Sequence, residues 1–163
     1  MIGEEAFMRE VEACERTLYR VSRAILRSDA DCADAVQEAL YKAWKHRDRV
    51  QEAYFKTWLT RIVINECRTI YRKRARMTVT DDVPEQVAAE RGVSLETRDA
   101  LMRLSQAHRL ALTLHYLEGF TLAEIAKMTR VPLGTVKYRI AQARKALRRE
   151  LESEGNGKGG AHL

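Results

Sequence analysis

Apolar residues recur at helical spacing through the first half of the chain. The residues of the first stripe, at steps of three and four, are Phe7, Val11, Cys14, Leu18, Val21 and Ile25. This spacing places them on one face of an α-helix. Ser28, three residues before Asp31, predicts the start of a second helix, and a third begins near Tyr54 after a loop over residues 47–53. Because none of these helices can bury its stripe alone, we expect a three-helix bundle.

The second half of the chain predicts further helices. Leucines between positions 95 and 117 mark a fourth and a fifth helix, and Gly119 suits the left-handed cap of the fifth. Thr121 with Glu124 predicts a capping box that opens a short helix. A last helix is predicted over residues 135–152. A short helix, a tight turn and a longer helix are typical of a helix-turn-helix, although an ordinary helical hairpin has the same pattern.

Composition supports an all-α fold of two small domains. The chain has 163 residues with 45% hydrophobic and 32% charged residues, and only two prolines interrupt it. We predict a helical domain over residues 1–76, an acidic linker over 77–99, a second helical domain over 100–152 and a flexible, glycine-rich tail over 153–163.

The charge is divided into blocks. Residues 56–76 contain seven basic residues and one acidic residue, Glu66. Residues 125–149 contain eight basic residues and no acidic residue. The segment between them is acidic. Two basic blocks in a chain of net charge +6 favour a shared polyanionic partner over two solvated helix faces.

Other classes of function have little support in the sequence. The three cysteines are far apart and form no zinc spacing with the histidines, and no glycine-rich phosphate loop or paired-carboxylate site is recognisable. We therefore expect no catalytic residues, metal, cofactor or small-molecule substrate. The acidic start is unlike a signal peptide, and no apolar run could span a bilayer, so we expect a cytoplasmic protein without membrane insertion.

Two groups of motifs resemble one protein family. The segments that carry the resemblance are DCADAVQEALYKAW at 31–44, FKTWLTRIVINECRTIYRKR at 55–74, YLEGFT at 116–121, EIA at 124–126, VPLGTVK at 131–137 and RKAL at 144–147. In this order they are similar to regions 2 and 4 of extracytoplasmic-function sigma factors of the sigma-70 family. The resemblance implies an alternative sigma factor that binds core RNA polymerase, recognises promoter DNA and is restrained by an anti-sigma factor. It also assigns residues 1–76 to region 2 and 100–152 to region 4.

The resemblance and the helical faces together select three sets of candidate residues. The polar face of the second helix is expected to bind core polymerase through Asp31, Asp34, Gln37, Glu38 and Tyr41. The third helix and the loop before it are expected to bind the −10 element through Arg49, Tyr54, Trp58, Arg61, Asn65, Arg68 and Arg72. Trp58 could equally belong to the core. The last helix is expected to bind the −35 element in the major groove through Thr135, Lys137, Tyr138, Arg139, Ala141, Gln142, Arg144 and Lys145.

Three positions depart from the family pattern: Arg130 stands where a turn glycine is usual, Ser105 where proline is usual, and Tyr138 where serine is usual. An alternative function is that of a self-standing helix-turn-helix regulator with a helical dimerisation domain. That alternative leaves the polar face around Asp34 and Glu38 without a function.

The acidic linker is either a plain tether or a strand that occupies a basic RNA channel of the polymerase.

Overall fold

The computed structural model describes residues 2–77 and 94–160, with side chains as far as Ser153, and this part of the chain is all-helical. The helices are α1 (Glu4–Ile25), α2 (Asp29–Lys45), α3 (Phe55–Arg76), α4 (Leu95–Arg103), α5 (Gln106–Leu112), α6 (Leu122–Thr129) and α7 (Leu133–Gly160). Short 3-10 turns occupy Arg47–Arg49 and Glu52–Tyr54 in the predicted loop. The predicted all-α class is confirmed.

Helices α1, α2 and α3 form the predicted bundle. Phe7 of α1 contacts the rings of Trp44 and Phe55 edge-on, at centroid distances of 5.1 and 5.4 Å. Leu18 and Leu59 are almost completely buried between the helices. Each such side chain stabilises the fold by about 1.5–3 kcal/mol.

The predicted helix boundaries agree with the caps. The Ser28 hydroxyl accepts the Asp31 N–H, and Thr121 and Glu124 form a reciprocal capping box. Gly119 has φ +74°, which glycine adopts without a steric penalty. Arg130, between α6 and α7, is also left-handed, with φ 58° and ψ 42°. A residue with a Cβ pays roughly 1 kcal/mol or more there.

Two of the predicted segment limits differ from the structure. Helix α4 begins at Leu95, the first leucine of the predicted fourth helix, so the linker ends before the predicted residue 99. The Ser94 hydroxyl accepts the Thr97 N–H and caps this helix, and Leu95 itself is exposed. Helix α7 begins at Leu133 and continues to Gly160 through most of the expected tail, where no proline is present to stop it. The rest of the predicted linker, residues 78–93, and the last three residues of the tail lie outside the described residues.

Helices α4 to α7 form the second domain and pack on the first. Leu101, Leu104, Leu112 and Ala143 form a small core within the second domain. A larger cluster continues from the bundle into Leu114, Ile125, Met128, Val136 and Ile140. Helix α5 lies against α1, and α6 lies against α3. The two domains therefore share the larger of the two apolar clusters in this arrangement.

One turn of π-helix, Thr113–Leu117, follows α5. Its signature is the Glu118 N–H, which donates to the carbonyl oxygen of Thr113, five residues back, at 3.0 Å. This turn leads directly to Gly119 and positions Glu118 against the first domain.

Candidate nucleic-acid interface

The predicted −10 residues follow one side of α3. Tyr54, Trp58, Arg61, Asn65, Arg68 and Arg72 are spaced by four and three residues, which aligns them along the helix. Tyr54, Arg61 and Arg72 are exposed, and Arg49 is exposed on the neighbouring 3-10 turn. The structure thus aligns six of the seven residues along α3, whereas the turn that carries Arg49 lies against α2.

Trp58 and Asn65 in this stripe are both half-buried. The Trp58 ring packs against Phe55 at 5.9 Å and adjoins the core, so the residue serves both the core and the surface. Asn65 accepts the Thr69 hydroxyl through its backbone carbonyl at 3.0 Å. Its side-chain amide makes no hydrogen bond within the described chain, which leaves a donor and an acceptor for an unpaired base.

The predicted −35 residues lie on the solvent-facing side of α7 and its two flanks. Tyr138, Ala141 and Lys145 are exposed at its centre. Thr135, Arg139 and Gln142 are half-buried along one flank, and Lys137 and Arg144 are exposed along the other. The Arg144 guanidinium lies 5.9 Å from the centre of the Tyr116 ring. Since a recognition helix in the major groove has phosphates on both sides, cations on both flanks suit backbone contacts.

The predicted polymerase-binding face of α2 needs one correction. Asp34, Gln37, Glu38 and Tyr41 are exposed on a single face. Asp31 is instead buried, and its two carboxylate oxygens accept from Arg74 Nε at 3.1 Å and Nη2 at 2.8 Å. Its place in the first turn of α2 allows a bidentate bond that ties α2 to the end of α3. Asp31 therefore has a structural role and is not part of the open face.

The seam between the domains is built around Glu118, whose side chain is only 6% exposed. One carboxylate oxygen accepts the Thr17 hydroxyl at 2.6 Å, and the other accepts Arg20 Nη1 at 3.0 Å. Both partners belong to α1. A carboxylate this buried is favourable only when its oxygens are paired, so the contact specifies how the two domains meet.

Helix α5 caps the C-terminal end of α1. Arg109, 5% exposed, donates from Nε to the carbonyl oxygen of Ala24 at 2.8 Å, and Gln106 donates to that of Ile25 at 3.0 Å. The last carbonyls of a helix have no partner within it, and its end carries partial negative charge. Burial lowers the pKa of Arg109, and the Arg27 charge lowers it further. The second domain thus completes a helix of the first.

The −10 and −35 surfaces meet where α6 packs on α3. The Thr57 hydroxyl donates to Glu124 at 2.8 Å, and Arg68 Nη1 donates to the carbonyl oxygen of Thr129 at 3.2 Å. Burial lowers the pKa of Arg68, and the charges of Arg139, Arg72 and Arg130 lower it further. Arg68 of the −10 set therefore connects α3 to the end of α6, directly before the turn that leads into α7.

Sequence reasoning missed the seam residues Thr17, Arg20, Arg109 and Glu118. Glu118 is within a recognised motif, but no local pattern connects it to partners about a hundred residues earlier.

The structure also contains an unpredicted apolar cleft of about 550 Å³ between α4, α5 and α7, lined by leucines including Leu101, Leu112 and Leu147.

The described residues contain neither a disulfide, nor a metal-ligand cluster, nor a helix able to span a membrane. Cys14, Cys32 and Cys67 are buried and unpaired, and desolvation raises the pKa of each thiol. No group of His, Cys, Asp or Glu in residues 2–77 and 94–160 is arranged to hold a metal ion. Within the same ranges no helix has the length and apolarity needed to cross a bilayer.

Comparison with known proteins gives consistent matches to both halves. The family described as Sigma-70 region 2 matches residues 11–77, and Sigma-70, region 4 matches residues 85–147. The chain is 35% identical over 144 residues to the ECF RNA polymerase sigma factor SigM of Mycobacterium tuberculosis, covering 83% of this chain and 72% of SigM. It is 30% identical over 165 residues to SigL of the same species, covering 94% and 93%.

A solved structure extends the similarity to the arrangement of the domains. The sigma factor RpoE in complex with the anti-sigma factor NepR from Bartonella quintana superposes with a TM-score of 0.78 at 27% identity, covering 90% of this chain and 96% of RpoE. The sequence matches over both regions and this common fold have one explanation. The chain belongs to the extracytoplasmic-function RNA polymerase sigma factors of the sigma-70 family.

Proposed function

We propose that this sigma factor binds core RNA polymerase through α2, opens and holds the −10 element with α3, and reads the −35 element with α7. The observation that carries the proposal is the pair of cationic surfaces, one on each domain. On α3 the cations are interleaved with Tyr54, Trp58 and Asn65, which suits unstacked single-stranded bases. On α7 they flank an exposed helix of a helix-turn-helix, which suits duplex DNA. The protein acts in the cytoplasm, where promoter DNA and polymerase are found.

The closed arrangement is proposed to be the inactive one. The −10 and −35 elements are separated by roughly 25 base pairs, or roughly 85 Å of duplex at about 3.4 Å per step. A compact chain of this length is only about 40 Å across. With α6 packed on α3 and Arg68 bonded to the carbonyl oxygen of Thr129, the protein cannot bind both elements at once, so the domains must separate on the polymerase.

An anti-sigma factor is proposed to hold the closed arrangement. Support comes from the superposition on RpoE in its complex with NepR, because one superposition over 90% of this chain includes both domains in their relative placement. The self-standing regulator is disfavoured because it leaves the region 2 match and the exposed face of α2 without a role.

The test is to combine the protein with core RNA polymerase and footprint the complex on genomic DNA. Protection centred on two elements, with reactive single-stranded bases at the downstream one, is expected. The variant Asn65→Ala should retain protection at the upstream element and lose base reactivity at the downstream one. If core polymerase starts at the same sites with and without the protein, the proposed function is wrong.

A further inference from the structure

The small core of the second domain is open on one side. Leu101 and Leu112 belong to that core, and Leu117 and Leu147 pack against it. All four leucines also line the apolar cleft of about 550 Å³ between α4, α5 and α7. Binding sites for small molecules are mostly apolar clefts of about 300–1,000 Å³, so this cleft has the size of a ligand site.

The wall that α4 contributes to the cleft is fixed by contacts within the chain. Arg103 Nε of α4 donates to Glu150 Oε2 of α7 at 2.8 Å. Leu104 of α4 is buried in the same small core. Because these contacts hold α4 on α7 independently of any ligand, a ligand would not have to order the cleft in order to bind.

The mouth of the cleft is cationic. Arg144 and Arg148 line it one turn apart on α7, and both are exposed. Neither guanidinium forms an ion pair with any of the described carboxylates. The lining contains one acidic residue, Glu152, so its charged side chains sum to a positive charge. An apolar floor beneath a cationic mouth suits an amphipathic anion.

We propose that the cleft binds a medium-chain fatty acid, with its alkyl chain against the leucines and its carboxylate between Arg144 and Arg148. Guanidinium groups donate paired hydrogen bonds to carboxylates. Each methylene that the leucines bury should tighten binding by about fourfold. A protein partner fits this cleft less well, because a stable protein interface uses about 20–30 residues on each side, and ten residues line the cleft.

A bound fatty acid also has a consequence for the −35 surface. Arg144 belongs both to the lining of the cleft and to the residues that we propose contact −35 phosphates. A carboxylate bonded to Arg144 competes with a phosphate for the same guanidinium. The fatty acid should therefore weaken recognition of the −35 element, and this part of the inference rests on the proposed function.

Binding is tested by isothermal titration calorimetry of the full chain with sodium decanoate. Arg148→Ala should weaken binding by about fivefold or more, because it removes one of the two cations at the mouth. The matched control is Arg149→Ala, because Arg149 is the next residue of α7 and is exposed but does not line the cleft. This control should weaken binding by less than about twofold.

Two further ligands test the chain and the head of the fatty acid separately. Octanoate is two methylenes shorter than decanoate and should bind about tenfold more weakly or worse. Decyltrimethylammonium has the same alkyl chain with a cationic head, so it should bind much more weakly than decanoate.

Thermal unfolding distinguishes a binding site from detergent action. Decanoate that binds the folded chain should raise the melting temperature of the parent protein and raise that of Arg148→Ala less. Without decanoate the two proteins should unfold at nearly the same temperature, which shows that the variant is folded.

Three outcomes of the binding experiments would overturn the proposal. They are absence of decanoate binding, equal losses for Arg148→Ala and Arg149→Ala, and binding of decyltrimethylammonium as tight as that of decanoate. If an acidic amphipathic helical peptide binds the cleft and decanoate does not, the cleft is a protein site and the proposal is wrong.

The competition for Arg144 is tested by transcription from a −35-dependent promoter with the reconstituted holoenzyme. Decanoate should lower transcription with the parent protein and lower it less with Arg148→Ala. Unchanged transcription at a saturating concentration of decanoate would refute the competition. Absence of transcription without decanoate would refute the proposed function, whereas calorimetry alone decides whether the cleft is a binding site.

Discussion

Arg20 in the first domain donates from Nη1 to Glu118 Oε1 in the second at 3.0 Å, although 98 residues separate them. Only 15% of the Arg20 side chain and 6% of the Glu118 side chain are exposed. The pair therefore connects the domains at a place where solvent screens the attraction between the two charges only weakly. Removing the charge of either residue should affect both the stability and the shape of the protein.

Glu118→Gln keeps the size of the side chain and removes its charge. It should lower the free energy of unfolding by about 1–3 kcal/mol, because the buried hydrogen bonds from Arg20 and Thr17 no longer go to a charged group. The measurement is urea denaturation, with small-angle X-ray scattering to detect a larger radius of gyration as the domains separate. The same substitution in the exposed Arg9–Glu52 pair, Glu52→Gln, should change stability by less than about 1 kcal/mol. Equal effects of the two substitutions would mean that burial of the pair is unimportant.

The two left-handed residues of the second domain should respond in opposite directions. Arg130→Gly should raise the free energy of unfolding by about 1 kcal/mol, since it relieves strain at φ 58°. Gly119→Ala should lower it by a similar amount through the backbone alone, since a Cβ there would meet nothing within 4 Å. Thermal denaturation provides the comparison. As a control, Gly134→Ala is within a helix and also in open space, so it should not destabilise.

The exposed face of α2 should bind the polymerase. Replacing Asp34 and Glu38 together by lysine should weaken binding to core polymerase by about tenfold or more, because both charges are exposed at what we propose is the contact. Unfolding should be nearly unchanged. Asp31→Asn is the contrasting variant: it should lower stability through loss of the Arg74 bond while leaving the affinity of the folded protein for core polymerase intact. If the double lysine variant binds core as well as the parent does, another surface makes the contact.

Different residues of α7 should bind the phosphates and the bases of the −35 element. Arg144→Ala should weaken binding to all −35 sequences alike and reduce the salt dependence of binding, as expected for a phosphate contact. Gln142→Ala should cost on the order of 1–3 kcal/mol only for the preferred base at one position. Binding of the variants to a set of single-base promoter changes, on holoenzyme, distinguishes the two. Uniform losses for both variants would contradict the division.

Stability should depend on Glu124 at acidic pH. The Thr121 amide N–H, with the Thr57 and Thr121 hydroxyls, lowers the pKa of Glu124 from its ordinary 4.5, although burial opposes this. The stabilisation is therefore complete above the unfolded-state pKa and is lost as the pH falls through the folded-state value. The difference in unfolding free energy between the parent and Glu124→Gln should shrink as the pH is lowered from about 6 towards about 3. A constant difference across this range would mean that the carboxylate charge is not involved.

Local sequence signals predicted most of the helices. The stripe from Phe7 to Ile25, the Thr121 capping box and Gly119 each depend on neighbours within a few residues, and the structure has all three. The exposed surfaces of α3 and α7 follow from the same periodicity, although their roles in DNA binding stay predictions.

Contacts between distant residues were beyond such signals. Asp31 fits the spacing of the polar face of α2, and only its bond to Arg74, 43 residues away, removes it from that face. In the sequence alone, Arg109 has the pattern of one more solvated cation. Its burial depends on the carbonyl groups at the end of α1 that have no partner within that helix, and periodicity does not indicate this contact. The seam as a whole consists of such pairs.

The π turn at Thr113–Leu117 gives the seam a requirement of backbone geometry as well as chemistry. A π turn holds one residue more than the α-helical path through the same space. If the same residues continued as an α-helix, everything after them would be turned by about 100° relative to the first domain. Glu118 would then face away from Thr17 and Arg20 with every side chain unchanged. The register between the two halves of this sigma factor is thus set by the winding of a single turn, and a change that rewinds it as an α-helix would separate them as effectively as the loss of an ion pair.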